Sequence, residues 1–311
     1  KEFYTLAKKL NIPVVSTFNG FDLIPSNDPL FAGRIGTVGQ RAGNFALQNA
    51  DVILFLGTRN NIRQASYNYE NFAKKAKKII VDIDEAELKK PTVKPDIPVL
   101  ADLKEFIKAF NAQAKPLKVK PWLDWCAKNI KKYTPLSEFK INLNERPNPY
   151  QAAQMITELS GNMPVVASNA TACLTLFQAG VSTKGKRMFL NSGDASMGYG
   201  LPAAIGACIA NGKKDTVCLE GDGSIMMNLQ ELQTVKTNNL PLKIFIFNNN
   251  GYISIKQTQK NFFGRYTACG CASGVEIPDF SKIAKAFGLE FIKINCGKNL
   301  NKGIVKTLKT P

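Results

Sequence analysis

At 311 residues the chain has the length of two domains, and 44% hydrophobic with 21% charged residues is the composition of folded protein with a sizeable core in each. No apolar run approaches the roughly 20 residues of a membrane span, and the absence of histidine excludes Ser-His-Asp triads, Cys-His dyads and most zinc sites. The net charge of +17 invites a nucleic-acid reading, but its lysines are scattered and arginine is scarce, so solvated faces and no nucleic-acid partner are expected. The opening Lys1-Glu2-Phe3, without Met or a charged-then-apolar leader, reads as a piece beginning inside a helix. Seven cysteines without a CxxC suit a reducing compartment, so a cytoplasmic protein with no membrane contact is expected.

In chain order, a helix over 2–10 leads to a short strand at 13–16 and a glycine-rich stretch containing Gly33, Gly36, Gly39 and Gly43. Buried-type strands follow at 51–56 and 78–83, and a helix is predicted over 102–110. Prolines 116, 121, 135, 147 and 149 then interrupt a lysine-rich connector holding one amphipathic helix, 122–132. From Tyr150 the alternation resumes: helices at 150–160, 171–180, 201–210, 225–238 and 280–287, and strands at 164–168, 187–191, 215–220, 242–247 and 290–295. A helix end stopping at Pro311 would be followed by a further strand. The expected class is α/β, with two doubly wound parallel-sheet domains, 1–112 and 150–311, joined by a linker, 113–149.

The stretch that carries chemistry is Gly221-Asp222-Gly223-Ser224 at one strand end and Asn248-Asn249-Asn250-Gly251 at the end of the next. If the two strands are parallel neighbours, both turns meet at the edge where open α/β sheets bind ligands. Glycines there admit close backbone approach, and free N–H groups at a helix start attract phosphate. Asp222 repels a bare diphosphate unless a cation lies between them. Mg²⁺ resolves that conflict, since it takes about six oxygens, which Asp222, the Asn249 amide oxygen, a main-chain carbonyl just beyond it, two diphosphate oxygens and a water would supply. A dinucleotide fingerprint fails because the third glycine is replaced by Met226. A Walker A reading of Gly180 to Arg187 fails because Arg187 stands where the metal-binding Ser/Thr belongs. A plain turn at 248–251 is the bland alternative.

These motifs resemble the thiamine-diphosphate enzymes, whose signature is Gly-Asp-Gly, about two dozen residues, then Asn-Asn. Here positions 224 to 247, 24 residues, separate Gly223 from Asn248. The resemblance implies thiamine diphosphate and Mg²⁺ as cofactors, with the metal on Asp222, Asn249 and the Gly251 carbonyl, and Gly223, Ser224 and Tyr252 at the cofactor. Asn191 to Ala207 is similar to the segment of the acetolactate synthase subgroup that passes beneath the cofactor. There Met197 aligns with the apolar wedge that bends it, and the Ala195 carbonyl with the acceptor for its amino group. Ser168-Asn169-Ala170-Thr171 implies a second phosphate contact through Asn169 and Thr171.

Residues 1–110 resemble the family's middle domain, which in some relatives holds FAD or ADP. Asn60-Asn61-Ile62-Arg63 departs from the acidic pair of the FAD-containing synthases, so flavin is left unassigned. The activity implied is decarboxylation of a 2-oxo acid with carboligation, in a homodimer or tetramer of a longer protein. The activating Glu would come from an N-terminal pyrimidine-binding domain, so no catalytic residue is assigned within 1–311. Thr258 stands where acetolactate synthases carry a selectivity Trp, which leaves open a decarboxylase or a carboligase with a non-pyruvate acceptor such as a keto sugar. A non-catalytic cofactor-binding module is the third reading.

Overall fold

Continuous apolar runs suit parallel sheets flanked by helices; Val165–Ala167 is buried throughout, whereas in Val52–Leu56 only Phe55 is buried. The computed structural model describes residues 2–191 and 193–310, so Lys1, Ser192 and Pro311 lie outside the described residues. The chain divides into two compact units, Lys1–Glu138 and Phe139–Pro311.

The first unit runs α1 (Glu2–Leu10), β1 (Val14–Ser16), β2 (Phe31–Arg34), α2 (Arg41–Gln48), β3 (Val52–Leu56), α3 (Ile62–Ala65), β4 (Lys77–Asp82), α4 (Glu85–Lys89), β5 (Ile97–Leu100), α5 (Leu103–Gln113) and α6 (Lys120–Lys132). β1 pairs with β2, and β3, β4 and β5 form a separate sheet in that order, all parallel. Phe55, Ile80, Leu47 and Phe72 fill the core over the second sheet, while Leu6 and Leu10 of α1 meet Ile107 of α5. Asp102 starts α5 by accepting the Lys104 and Glu105 amides, the usual N-cap arrangement. The helix of the proline-rich connector, α6, carries Pro121 in its first turn and lays Trp122 and Cys126 on Ala32 and Ala46 of this unit.

The second unit runs α7 (Pro149–Leu159), β6 (Val165–Ala167), α8 (Ala170–Ala179), β7 (Met188–Leu190), α9 (Gly200–Ala210), β8 (Thr216–Gly221), α10 (Asp222–Ile225), α11 (Glu231–Thr237), β9 (Leu242–Phe247), α12 (Ile253–Phe262), α13 (Phe280–Ala286) and α14 (Leu300–Lys309). Its sheet has the order β7-β6-β8-β9, all parallel. On one face Leu201 and Ile205 of α9, Leu232 and Val235 of α11 and Phe280 of α13 pack against Leu242, Ile244 and Ile246 of β9. No described helix is long and apolar enough to cross a membrane.

Two expected elements differ. Of the helix predicted over 225–238 only α11 forms as such: Ile225 closes the short α10, and 226–230 are turns in which Met227 N bonds Ser224 O and Asn228 N bonds Ile225 O, three residues back instead of four. Asn228 also turns its amide to the Gly198 carbonyl, a tertiary bond that a continuous helix would have to give up. The strand predicted over 290–295 has no ladder partner among the described residues. It keeps the period-2 pattern, with Ile292 and Ile294 half-buried between exposed neighbours, but a cavity of about 1420 Å³ lies between it and β9. Periodicity reports which face is apolar, whereas a strand also needs a backbone within hydrogen-bond reach.

Lys186 is 1% exposed and donates to the Thr157 carbonyl and to Ser160 Oγ at 3.0 Å. Burial pushes its ammonium down from 10.5 to about 8. Between those two values the unfolded chain binds the proton and the folded chain does not, so stability rises with pH across that window. Denaturant melts at pH 7.5 and 10 are expected to show wild type gaining roughly 2 to 3 kcal/mol relative to Lys186→Met, and parallel profiles would refute the assignment.

Candidate functional site

The β8 backbone is buried from Thr216 to Glu220 and delivers Gly221 to the carboxyl edge of the sheet opposite Phe247, its β9 partner. The Gly-Asp-Gly turn and the Asn-Asn turn therefore lie side by side. Asp222 is 1% exposed, and its Oδ2 accepts the backbone N–H groups of Asn249 and Gly251, both at 3.0 Å. Its Oδ1 accepts Gly223 N at 2.8 Å. Three of about four acceptor positions on the carboxylate are thus taken by backbone, fixing the direction of the remaining one. Asn249 Oδ1 is buried without a hydrogen-bond partner. A buried acceptor of this kind costs about 1 to 3 kcal/mol unless something positive reaches it.

Gly251 sits at φ +124, and a Cβ there would come within 2.5 Å of the Cys269 carbonyl oxygen. The same carbonyl accepts Tyr252 N at 3.0 Å, so the loop bearing Cys269 clamps the turn from behind. The Tyr252 ring lies on the Gly-Asp-Gly turn, where a Cβ on Gly223 would meet its Cε1 at 2.4 Å. Ser224 Oγ is 2.6 Å from Ser168 Oγ and accepts Gly198 N at 3.0 Å. Asn169 makes no cap bond to α8; its amide instead donates to the Ala195 carbonyl at 3.0 Å. Ala195 occupies the left-handed region, φ 56, a conformation that favours glycine. Met197 is half-buried on the turn before α9.

Of the sequence-derived residues, Asp222, Gly223, Asn249, Gly251 and Tyr252 converge directly, and Ser224, Asn169, Ala195 and Met197 join them through Ser168 and Gly198. Thr171 stands apart: it occupies the first turn of α8 and lines the same cavity as Asn249, but no hydrogen bond among the described residues ties its side chain to the two turns. Sequence reasoning missed Glu220, a carboxyl with no exposed surface whose burial pushes it up to about 7. The available signal was one acidic residue inside an otherwise apolar buried strand.

The donor set fits a hard cation shared with a diphosphate. No group of three His, Cys, Asp or Glu that could hold a metal occurs among the described residues. One carboxylate, one orphaned amide oxygen and a backbone carbonyl match the mixed oxygen ligands Mg²⁺ takes when substrate phosphates complete its shell. Asn249→Ala is expected to leave the stability of the cofactor-free protein within about 1 kcal/mol, because loss of an unsatisfied acceptor offsets lost packing. If the turn pair holds Mg²⁺ with thiamine diphosphate, as the sequence resemblance implies, affinity for the two together should drop roughly 10- to 100-fold. Thermal melts with and without both ligands check the two halves separately.

The family model described as "Thiamine pyrophosphate enzyme, C-terminal TPP binding domain" matches residues 170–311, and "Thiamine pyrophosphate enzyme, central domain" matches residues 1–110. Acetolactate synthase 1, chloroplastic, of Zea mays is 32% identical over 320 residues, covering 100% of this chain and 50% of the relative. The probable acetolactate synthase large subunit of Methanococcus aeolicus is 31% identical over 323 residues, covering 99% and 53%. The acetolactate synthase large subunit of Cyanidium caldarium is 32% identical over 326 residues, covering 100% and 53%. The chain spans about half the length of these relatives. With its two characteristic turns locked together at one sheet edge and both family domains matched along its length, the chain belongs to the thiamine pyrophosphate enzyme family.

Proposed function

We propose that this chain supplies the central domain (1–112), a linker (113–149) and the diphosphate- and Mg²⁺-binding domain (150–311) of an acetolactate synthase-like enzyme that decarboxylates a 2-oxo acid and joins the remainder to a second carbonyl compound. The observation that carries the reading is the buried, unpartnered Oδ1 of Asn249, a residue whose backbone N–H is held by Asp222, a carboxylate with most of its acceptor directions filled by backbone N–H groups. Asp222, Asn249 and the Gly251 carbonyl would hold Mg²⁺. Gly223, Ser224, Asn169, Thr171 and Tyr252 would surround the diphosphate, while Met197 and the Ala195 carbonyl would orient the rings. Bound thiamine diphosphate would supply the nucleophilic carbon and the electron sink. The protein's task is to bind, bend and desolvate it. Similarity to acetolactate synthases over the whole chain supports this assignment.

The acceptor is proposed to differ from that of authentic acetolactate synthases, because Ser254 and Thr258 of α12 are small and polar where a Met/Trp-containing stretch is expected. The activating carboxylate and the homodimeric or tetrameric assembly belong to the longer protein. Residues 1–311 alone should therefore show negligible turnover of 2-oxo acids, whereas the longer polypeptide should release CO₂ from them. Measured CO₂ release by the 311-residue chain would contradict the division of labour.

A further inference from the structure

Glu220 is the most buried acidic group in the second unit's site, and nothing in the proposed metal or diphosphate chemistry uses it. Its Oε1 accepts Leu201 N at 2.9 Å and its Oε2 accepts Gly221 N at 3.2 Å. Leu201 N belongs to the first turn of α9, whose own N-cap, Tyr199, makes no side-chain cap bond. Glu220 thus caps α9 from the neighbouring strand β8, where a carboxylate also meets the favourable end of the helix dipole. The packing is built around this contact. A Cβ on Gly200 would lie 2.2 Å from Glu220 Oε1, so only glycine lets the carboxyl reach the helix start.

The consequence lies one turn upstream. Ser224 Oγ accepts Gly198 N at 3.0 Å, and Asn228 holds the Gly198 carbonyl at 2.7 Å. The Met197–Tyr199 turn is therefore fastened on both sides of its peptide to the elements that carry Asp222, with Glu220 fixing the helix into which it runs. We propose that Glu220 is a positioning residue that sets the place of Met197 relative to the Asp222–Asn249 turn pair. Glu220 would then govern how the ring end of the cofactor is held, leaving the grip on its diphosphate tail to Asp222 and Asn249. This rests on the functional reading above.

The test compares wild type, Glu220→Ala, Glu220→Gln and Gly200→Ala in two ways. Hydrogen exchange on the cofactor-free protein should show amides 198–201 exchanging about tenfold faster or more in Glu220→Ala and Gly200→Ala, with the amides of β9 and of 216–220 in β8 unchanged and Glu220→Gln close to wild type. Titration with Mg²⁺ and inorganic pyrophosphate should give affinities within about threefold of wild type. Titration with Mg²⁺ and thiamine diphosphate should lose about tenfold or more, restored by Glu220→Gln. Unchanged exchange at 198–201, a uniform rise across the unit, or equal losses for both ligands would overturn the proposal. If Glu220→Ala does not fold, Glu220→Gln and Gly200→Ala still decide it. Failure of the wild-type protein to bind either ligand would count against the proposed function, and the exchange measurement would then decide the role of Glu220.

Discussion

Asp222→Asn is expected to lower affinity for Mg²⁺ with thiamine diphosphate by roughly 100-fold or more, the largest effect of any single substitution at the site. The replacement has the same shape, so packing is preserved. Two things change. The carboxylate that holds the Asn249 backbone loses its charge, and an amide NH₂ must be placed against backbone donors, since Gly223 N, Asn249 N and Gly251 N all point at this side chain. At most one side of an asparagine can accept, so at least one buried N–H is left unsatisfied at about 1 to 3 kcal/mol. Denaturant melts should therefore show a loss of that order in the cofactor-free protein, and calorimetry the larger loss in binding. Retained Mg²⁺-dependent binding in a folded Asp222→Asn variant would show that the carboxylate does not hold the metal.

Gly251→Ala should be costly for a reason independent of any ligand. At φ +124 a side chain is strained, about 1 to 3 kcal/mol. Its Cβ would also meet the Cys269 carbonyl at 2.5 Å, and relief requires moving backbone, adding about 1 to 3 kcal/mol. Gly161→Ala is the control: it has φ +53 with open space around the would-be Cβ, so it carries strain without collision. Chemical denaturation should place Gly251→Ala about 2 to 6 kcal/mol below wild type and Gly161→Ala about 1 kcal/mol below. Equal losses would mean that the Cys269 loop yields freely and does not clamp the turn.

The site was legible in the sequence to the extent that its residues lie on one βαβ unit. Apolar strands ending at Gly221 and Phe247, with a helical stretch between them, fix the two turns as neighbours once parallel pairing is granted, and the register opposes Gly221 to Phe247. What escaped depended on contacts between distant segments. The 225–238 helix is interrupted where Asn228 leaves it for Gly198, a partner about 30 residues away that no local pattern reveals. The segment 290–295 alternates correctly, yet a strand is defined by the backbone beside it, and the space next to it is a cavity. Glu220 escaped because propensity treats an acid in a buried strand as an anomaly, whereas Leu201 N and Gly221 N make it a satisfied cap.

The most direct test of the central claim is a crystal of the cofactor-bound protein with Mn²⁺ in place of Mg²⁺, located by its anomalous scattering. A single metal peak is expected about 2.1 Å from an Asp222 carboxylate oxygen, Asn249 Oδ1 and the Gly251 carbonyl oxygen, with diphosphate oxygens completing its shell. Thiamine diphosphate bound with the metal elsewhere, or with Asn249 Oδ1 turned away from it, would contradict that assignment.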